Sequence, residues 1–246
     1  MAARPSICAS GCYMPHLCSG RSGACLMRPK AYYPLFADLN GRRCVVIGGG
    51  AIAQRKITTL LRYGADLTLV APEATRRLAS YAGAGKIRWL KRRFKPADLS
   101  GAWLVYAATD DPAINKQVYD AAQRQRIFAN IVDQTPLCTF IAPSIARRGP
   151  LTIAVSTGGS SPSLAKRLRH DLNDRLSAEY VPMLRLLRSL RGVAKRRLPK
   201  YGDRKRYFDR LVSGEVFRLI RAGRPLQARR AALEALAAEA KHHNGA

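Results

Sequence analysis

Residues 44–56 read CVVIGGGAIAQRK, a run of mostly apolar, β-branched residues that passes through three glycines into a helix-compatible segment. Within it, the pattern G-x-G-x-x-A begins at Gly48, passes Gly50 and closes at Ala53. In a dinucleotide site the first of these positions allows a tight turn, the second admits the pyrophosphate, and the third lets the helix pack closely on the sheet. On the motif alone, a glycine-rich turn in another kind of α/β protein remains an alternative.

The sequence after the glycines supplies the context that this motif requires. Ile57, Leu60 and Leu61 recur at helical spacing, and Gly64 stands where a helix would end. Residues 66–71 then form a second apolar run that ends before a proline. Together these segments predict a βαβ unit of about 30 residues, with phosphates bound at the N-terminus of its helix.

Residues beyond the second strand bear on which dinucleotide binds. The acidic residue that holds the adenosine ribose is expected about 20 positions after the motif, and the nearest candidate is Glu73. Arg76 and Arg77 follow, and an arginine there would instead favour the 2′-phosphate of NADP. We predict NAD, with NADP as the alternative. Besides the glycines, the predicted cofactor contacts in this part of the chain are Ala51, Ile52, Pro72 and Glu73.

Three further strands are predicted to continue the alternation of strands and helices. They cover residues 87–90, 103–108 and 127–133, and a helix through Ile114 separates the last two. This order is typical of an α/β protein with a Rossmann-like parallel sheet.

Polar residues follow the fourth and fifth of these strands. Thr109 and Asp110 come after the fourth, and Asp133 closes the fifth. Because ligands bind beyond the carboxyl ends of parallel strands, we expect these residues to lie beside the glycine turn. Thr109 and Asp110 are therefore predicted cofactor contacts, although helix capping is the alternative role for Asp110 or its neighbour Asp111.

The composition is strongly basic. Lysine and arginine number 43 against 16 acidic residues, which gives a formal net charge of +27. Such a surface attracts polyanions, whether nucleic acid, anionic lipid or a polycarboxylate small molecule. The alternative is that the arginines form ordinary solvated helix faces. No apolar run is long enough to span a bilayer, so we expect a soluble protein.

The cysteines point to a reducing compartment. Cys44 and Cys138 fall in predicted buried strands, which favours reduced core thiols and a cytoplasmic location. Residues 1–30 lack periodicity and an apolar signal core, so we expect a disordered extension, with Met27 as an alternative start and a transit peptide as another reading. The cysteines of that segment form no C-x-x-C pair, and we predict no metal site: they are Cys8, Cys12, Cys18 and Cys25.

Five segments between Tyr33 and Arg169 together resemble one family. In order they are VVIGGGAIAQRK, AATDDPAIN, RIFANIVDQ, FIAPSI and PLTIAVSTGGSSPSLAKRLR. This order closely resembles the siroheme synthase N-terminal family, whose members are precorrin-2 dehydrogenases and often also sirohydrochlorin ferrochelatases. The resemblance implies NAD-dependent oxidation of precorrin-2 to sirohydrochlorin in siroheme biosynthesis. It further implies Asp133 as the base, a homodimer, and Fe²⁺ insertion in bifunctional members.

The loop before the next helix is the candidate substrate site. Precorrin-2 and sirohydrochlorin are polycarboxylate tetrapyrroles, and hydroxyls, backbone amides and a helix N-terminus suit carboxylates. Ser161 is the expected N-cap, with Pro162 at the first helical position. An ordinary capped turn is the alternative. The predicted substrate contacts are Ser156, Thr157, Gly158, Gly159 and Ser160.

The rest of the chain is predicted to be helical. From Tyr180 onward it is basic, with breaks expected at residues 198–199, Gly202 and residues 223–225, and residues 227–246 are expected to be a peripheral helix. A leucine stripe precedes this region and is predicted to be core or dimer interface: Leu164, Leu168, Leu172 and Leu176.

These observations combine into one architecture. We predict a Rossmann-like parallel sheet, followed by a small dimerisation segment and a helical C-terminal domain. The boundaries are a disordered extension at 1–30, an NAD-binding Rossmann domain at 31–143, a dimerisation and substrate segment at 144–178, and a helical basic domain at 179–246. The alternative function is a nucleotide-sensing regulator whose basic helical half binds DNA. In the favoured interpretation there is no specific nucleic-acid partner and no membrane.

Overall fold

The computed structural model describes residues 30–244, with side chains through Lys241. The extension predicted at 1–30, with its four cysteines, therefore lies outside the described residues except for Lys30.

A five-stranded parallel sheet forms the first half of the fold, in the order β3-β2-β1-β4-β5. In register, Ile47 lies opposite Val70 on one side and Ala107 on the other, so three strands end at the same level. The chain order reverses between β1 and β4, which is where ligands bind in such sheets. The strands are β1 (Arg43–Ile47), β2 (Asp66–Val70), β3 (Arg88–Leu90), β4 (Leu104–Ala107) and β5 (Phe128–Ile131).

Helices cover both faces of the sheet. The helices α1 (Ala51–Leu61) and α2 (Arg76–Gly83) pack on one face, and α3 (Pro112–Gln125) packs on the other. Alternate residues of β1 therefore enter two cores: Val46 joins the first and Val45 the second. Burial on both faces explains why the central strands read as continuous apolar runs, and the predicted fold class is confirmed.

The fifth strand is shorter than predicted. It ends at Ile131, and Val132 and Asp133 form a turn in which the amide of Gln134 donates to the carbonyl of Ile131 (3.2 Å). Asp133 has φ +59°, a left-handed conformation that is incompatible with a strand and that aspartate tolerates better than most residues. Cys138 is buried, as predicted, but it follows a short 3₁₀ turn rather than lying in a strand.

The chain then returns along the outer edge of β5. The amide of Thr139 donates to the carbonyl of Ala129 (2.8 Å), and the amide of Ala129 donates to the hydroxyl of Thr139 (2.8 Å). The side-chain amide of Asn130 donates to the carbonyl of Phe140 (3.0 Å). The loop that carries Asp133 is thus anchored at both ends on one strand.

A small antiparallel hairpin follows, formed by β6 (Ser144–Arg148) and β7 (Leu151–Val155). The helix α4 (Pro162–Arg175) comes next, and the hydroxyl of Ser161 accepts from the amide of Leu164 (3.2 Å). The predicted cap is therefore present. At the ends of the leucine stripe, Leu176 is buried, while Leu164 and Leu168 are exposed in the single chain.

Four helices complete the described chain: α5 (Tyr180–Arg197), α6 (Tyr201–Ser213), α7 (Glu215–Arg221) and α8 (Pro225–Asn244). They enclose a core of their own, which includes Met183, Leu190, Tyr207 and Leu211. The hydroxyl of Tyr207 donates to the carbonyl of Ala232 (2.9 Å), so this aromatic residue packs inside.

Two expectations for this helical part were wrong. Gly202 lies within the first turn of α6 rather than at a break, and an unexpected break occurs at Gly214. The last helix is not peripheral, because Ala228, Ala232 and Leu236 are fully buried. Alanines one turn apart allow α8 to pack closely against its neighbours. The alanine content alone did not indicate that this face is buried.

Candidate functional site

The glycine turn joins three loops at the carboxyl edge of the sheet. Gly48 has φ +103°, and a Cβ added there would lie 2.2 Å from the carbonyl oxygen of Ala108. A Cβ on Gly49 would lie 1.9 Å from the carbonyl oxygen of Glu73, whereas one on Gly50 would meet nothing within 4 Å. The first two glycines thus seat the turn against its neighbours, and the third leaves open space.

The start of α1 borders that open space. Gly50 is the N-cap residue, its backbone is extended, and no side chain caps the helix. Ala51 and Ile52 are exposed, while Ala53 is fully buried against the sheet. The first amides of α1 therefore lack a side-chain acceptor, and these groups with the positive end of the helix dipole fit a pyrophosphate.

The loop after β2 lies against the turn. The amide of Thr75 donates to the carbonyl of Gly49 (3.0 Å), and its hydroxyl contacts Oε1 of Gln54 (2.6 Å). Pro72 and Glu73 are exposed on this loop. The side chain of Arg77 turns away toward Tyr81, to whose hydroxyl it donates (2.8 Å).

The loop after β4 is held by a buried asparagine that the sequence did not single out. The hydroxyl of Thr109 donates to Oδ1 of Asn115 (2.8 Å), and Nδ2 of Asn115 donates to the carbonyl of Thr109 (3.0 Å). Asp111 caps α3 through the amides of Ala113 and Ile114, which fits the capping alternative. Asp110 remains exposed. The sequence could have indicated Asn115, because it is a polar residue at a helical position whose neighbours on the same face are apolar.

The substrate loop predicted at 156–160 lies against the turn that follows Asp133. A Cβ on Gly159 would be 3.2 Å from Cγ2 of Thr135, two residues beyond Asp133. The loop is tied internally, since the amide of Gly158 donates to the hydroxyl of Ser156 (3.1 Å) and that of Ser160 to the carbonyl of Thr157 (3.0 Å). Gly158 and Gly159 both have positive φ, which these tight turns require.

Two negative findings concern only the described part of the chain. Residues 30–241 contain no group of three or more His, Cys, Asp or Glu side chains that could hold a metal ion. In the same range, no helix combines the length and the apolar character needed to cross a membrane.

A glycine turn at the reversal point of a parallel sheet, opening onto an uncapped helix, defines a dinucleotide-binding protein of the Rossmann class. Three family models match the chain in order: "Putative NAD(P)-binding" at residues 35–144, "Sirohaem biosynthesis protein central" at 148–175 and "Sirohaem synthase dimerisation region" at 179–236. Together these matches confirm the resemblance to the siroheme synthase N-terminal family and the predicted class of cofactor.

Individual relatives agree with this assignment. The chain is 43% identical to "Siroheme synthase 1" of Pectobacterium atrosepticum over 80% of its own length and 41% of the relative. It is 39% identical to "Siroheme synthase" of Sodalis glossinidius over 86% of its length and 45% of the relative. The chain thus spans about two fifths of the length of the curated relatives it matches.

A solved structure covers nearly the same extent as this chain. The protein named "SirC, precorrin-2 dehydrogenase" superposes with a TM-score of 0.67 at 27% identity, over 83% of this chain and 98% of its own. None of these matches supports a DNA-binding regulator.

Proposed function

We propose that this chain is an NAD-dependent dehydrogenase that oxidises precorrin-2 to sirohydrochlorin. The observation that carries the proposal is the match to a precorrin-2 dehydrogenase over 98% of that protein's length. The glycine turn, the Asp133 turn and the loop 156–160 all fall within the same family matches. Bound NAD would accept the hydride that leaves the macrocycle, and the remaining proton needs a base.

In this proposal, the chain's own residues bind, orient and accept the proton. The amides at the start of α1 hold the pyrophosphate, with Gly50 as the position of closest approach. Glu73 would accept hydrogen bonds from the adenosine ribose. The guanidinium of Arg77 donates to the hydroxyl of Tyr81 and is therefore not directed at a 2′-phosphate. This engagement favours NAD over NADP, although Arg76 is exposed nearby.

Asp133 is the proposed base. Its carboxylate is exposed at the carboxyl edge of the sheet, beside the loop 156–160. Its left-handed backbone is uncommon for a residue other than glycine, and such conformations concentrate at functional sites. With the macrocycle's carboxylates on the hydroxyls and amides of residues 156–160, Asp133 would accept the proton as the hydride leaves to NAD.

We also propose an oligomeric state, a second reaction and a location for the chain. The dimerisation-region match and the exposed leucines of α4 support a homodimer. The names of the curated relatives support Fe²⁺ insertion into sirohydrochlorin, with the ion as substrate and the tetrapyrrole nitrogens as its ligands. The buried thiols of Cys44 and Cys138, neither of which forms a disulfide within the described residues, are consistent with the cytoplasmic location proposed here.

Incubating the purified chain with precorrin-2 and NAD tests the main proposal. We expect sirohydrochlorin absorbance to rise together with an equal amount of NADH. Absence of both products from a folded protein that binds NAD would refute the proposal. Sequence-selective DNA binding in the nanomolar range, modulated by NADH, would favour the regulator instead. Adding Fe²⁺ to the chain with sirohydrochlorin tests the chelatase step separately.

A further inference from the structure

Lys56 places an ammonium group on the sheet face beside the Asp133 turn. It projects from α1 over the ring of Tyr106, with Nζ 4.6 Å from the ring centroid. Tyr106 lies one residue before the carboxyl end of β4, and its ring contacts Phe140 edge-on at 5.3 Å. Phe140 belongs to the segment that returns from Asp133, so the ammonium lies on the side of α1 that faces this segment.

The ammonium has no anionic partner within the described residues. Lys56 is partly buried, and it forms no ion pair with any carboxylate in residues 30–241. Burial lowers the pKa of Lys56, and so does the nearby charge of Arg55, whereas Cys138 and Asp133 raise it. Asp133 is thus within electrostatic reach of Lys56 but not in contact with it.

Burying a charge without a partner is costly, and one aromatic face compensates only part of the lost hydration. Binding of an anion would therefore stabilise this ammonium more than it would stabilise an exposed lysine.

We propose that Lys56 binds a carboxylate side chain of the tetrapyrrole and thereby adds to the affinity of the Asp133 site for the macrocycle. The inference rests on the proposed function and assigns one further residue to its substrate site. A carboxylate is favoured over the NAD pyrophosphate because Lys56 faces β4 and the Asp133 segment. The adenosine side of the cofactor is expected instead at Glu73, beyond the opposite strand, β2.

Binding of sirohydrochlorin without NAD, followed by fluorescence quenching, is the direct test. In Lys56→Met, which keeps an apolar stem of similar length, we expect about tenfold weaker binding or more, the low end for a charged hydrogen bond. The KM for precorrin-2 should rise by a similar factor. The KM for NAD and kcat should stay within about twofold, because the contact is made equally in the ground state and the transition state.

The chain offers a matched control for the cation–π contact. Nζ of Lys91 lies 4.7 Å above the ring of Trp89, on the edge strand three places from β4. Lys91→Met removes the same charge and a similar contact, and we expect it to bind sirohydrochlorin as the unmodified chain does. Lys56→Arg, which keeps the charge, should stay within about threefold of the unmodified chain.

Each remaining outcome decides the matter. Unchanged sirohydrochlorin binding in Lys56→Met, in a chain that oxidises precorrin-2, overturns the inference and leaves the proposed function standing. A raised KM for NAD alone would assign Lys56 to the cofactor and also overturn it. Should Lys56→Met not fold, Lys56→Gln decides by the same measurement. Failure of the unmodified chain to bind or form sirohydrochlorin refutes the proposed function itself.

Discussion

We expect the substitution Gly50→Asp to increase the stability of the NAD-free protein slightly and to abolish NAD binding. Gly50 is the N-cap of α1, its φ and ψ of −79° and −172° suit any residue, and an added Cβ meets nothing within 4 Å. Aspartate is among the best N-cap residues because its carboxylate accepts from the first helical amides. Those amides are the donors that the pyrophosphate needs.

The two effects have different magnitudes. Exchanging glycine for aspartate at an N-cap is worth only a few tenths of a kcal/mol in stability. Two like charges about 4 Å apart repel by about 1 kcal/mol in water and about 4 kcal/mol near a protein surface. Together with the loss of free amides, this predicts at least about 100-fold weaker NAD binding, or about 2.8 kcal/mol.

Calorimetric titration with NAD and thermal unfolding of the empty protein measure the two quantities. Gly50→Ser separates capping from charge, since serine caps the helix but does not repel phosphate. Gly83→Asp adds the same charge at an open position in α2 and should leave NAD affinity unchanged. NAD affinity in Gly50→Asp equal to that of the unmodified chain would show that the pyrophosphate binds elsewhere.

Further outcomes follow from other contacts. Asp133→Asn should keep the left-handed turn and NAD binding but lower turnover by at least about 10², measured by sirohydrochlorin formation; near-normal turnover would remove Asp133 from the mechanism. Gly49→Ala should cost about 1–3 kcal/mol of stability in urea unfolding because its Cβ would strike the carbonyl of Glu73, and an unchanged midpoint would contradict this packing. The hydrogen bond from Arg92 holds the pKa of the buried Asp98 below its usual value, so the pair stabilises the fold at neutral pH and loses this effect as the pH falls through that lowered pKa. Arg92→Met should therefore lower the urea midpoint at pH 7 and have a smaller effect at pH 3; equal losses at both would refute the link. The KM for precorrin-2 should rise with ionic strength more than the KM for NAD, and equal salt dependence would argue against a role for the basic surface.

Local patterns were sufficient to predict most of the sheet and the helix starts. The apolar run before Gly48 and the spacing through Ile57 have one low-energy arrangement, a buried strand followed by a helix packed upon it. Ser161 before Pro162 likewise fixes the start of α4 through a single side-chain hydrogen bond. In each case the relevant partners lie within a few residues of one another.

Contacts between distant segments escaped prediction. The motif assigns roles to Gly48 and Gly50, yet Gly49 makes the closest approach, to a loop more than 20 residues away. The position of Lys56 above Tyr106 likewise depends on how α1 lies across β4. The burial of α8 also depends on distant contacts, because alanine is compatible with both a surface helix and a tightly packed one.

The segment that returns along β5 has a consequence for association between molecules. An unpaired outer strand is a template onto which a strand from another chain can be added. Here the amide and the carbonyl of Ala129 are both hydrogen-bonded to Thr139. The side-chain amide of Asn130 donates to the carbonyl of Phe140. Backbone and side-chain hydrogen bonds within the chain thus already occupy this border of the sheet, and we expect it to resist edge-to-edge pairing with another molecule even at high concentration.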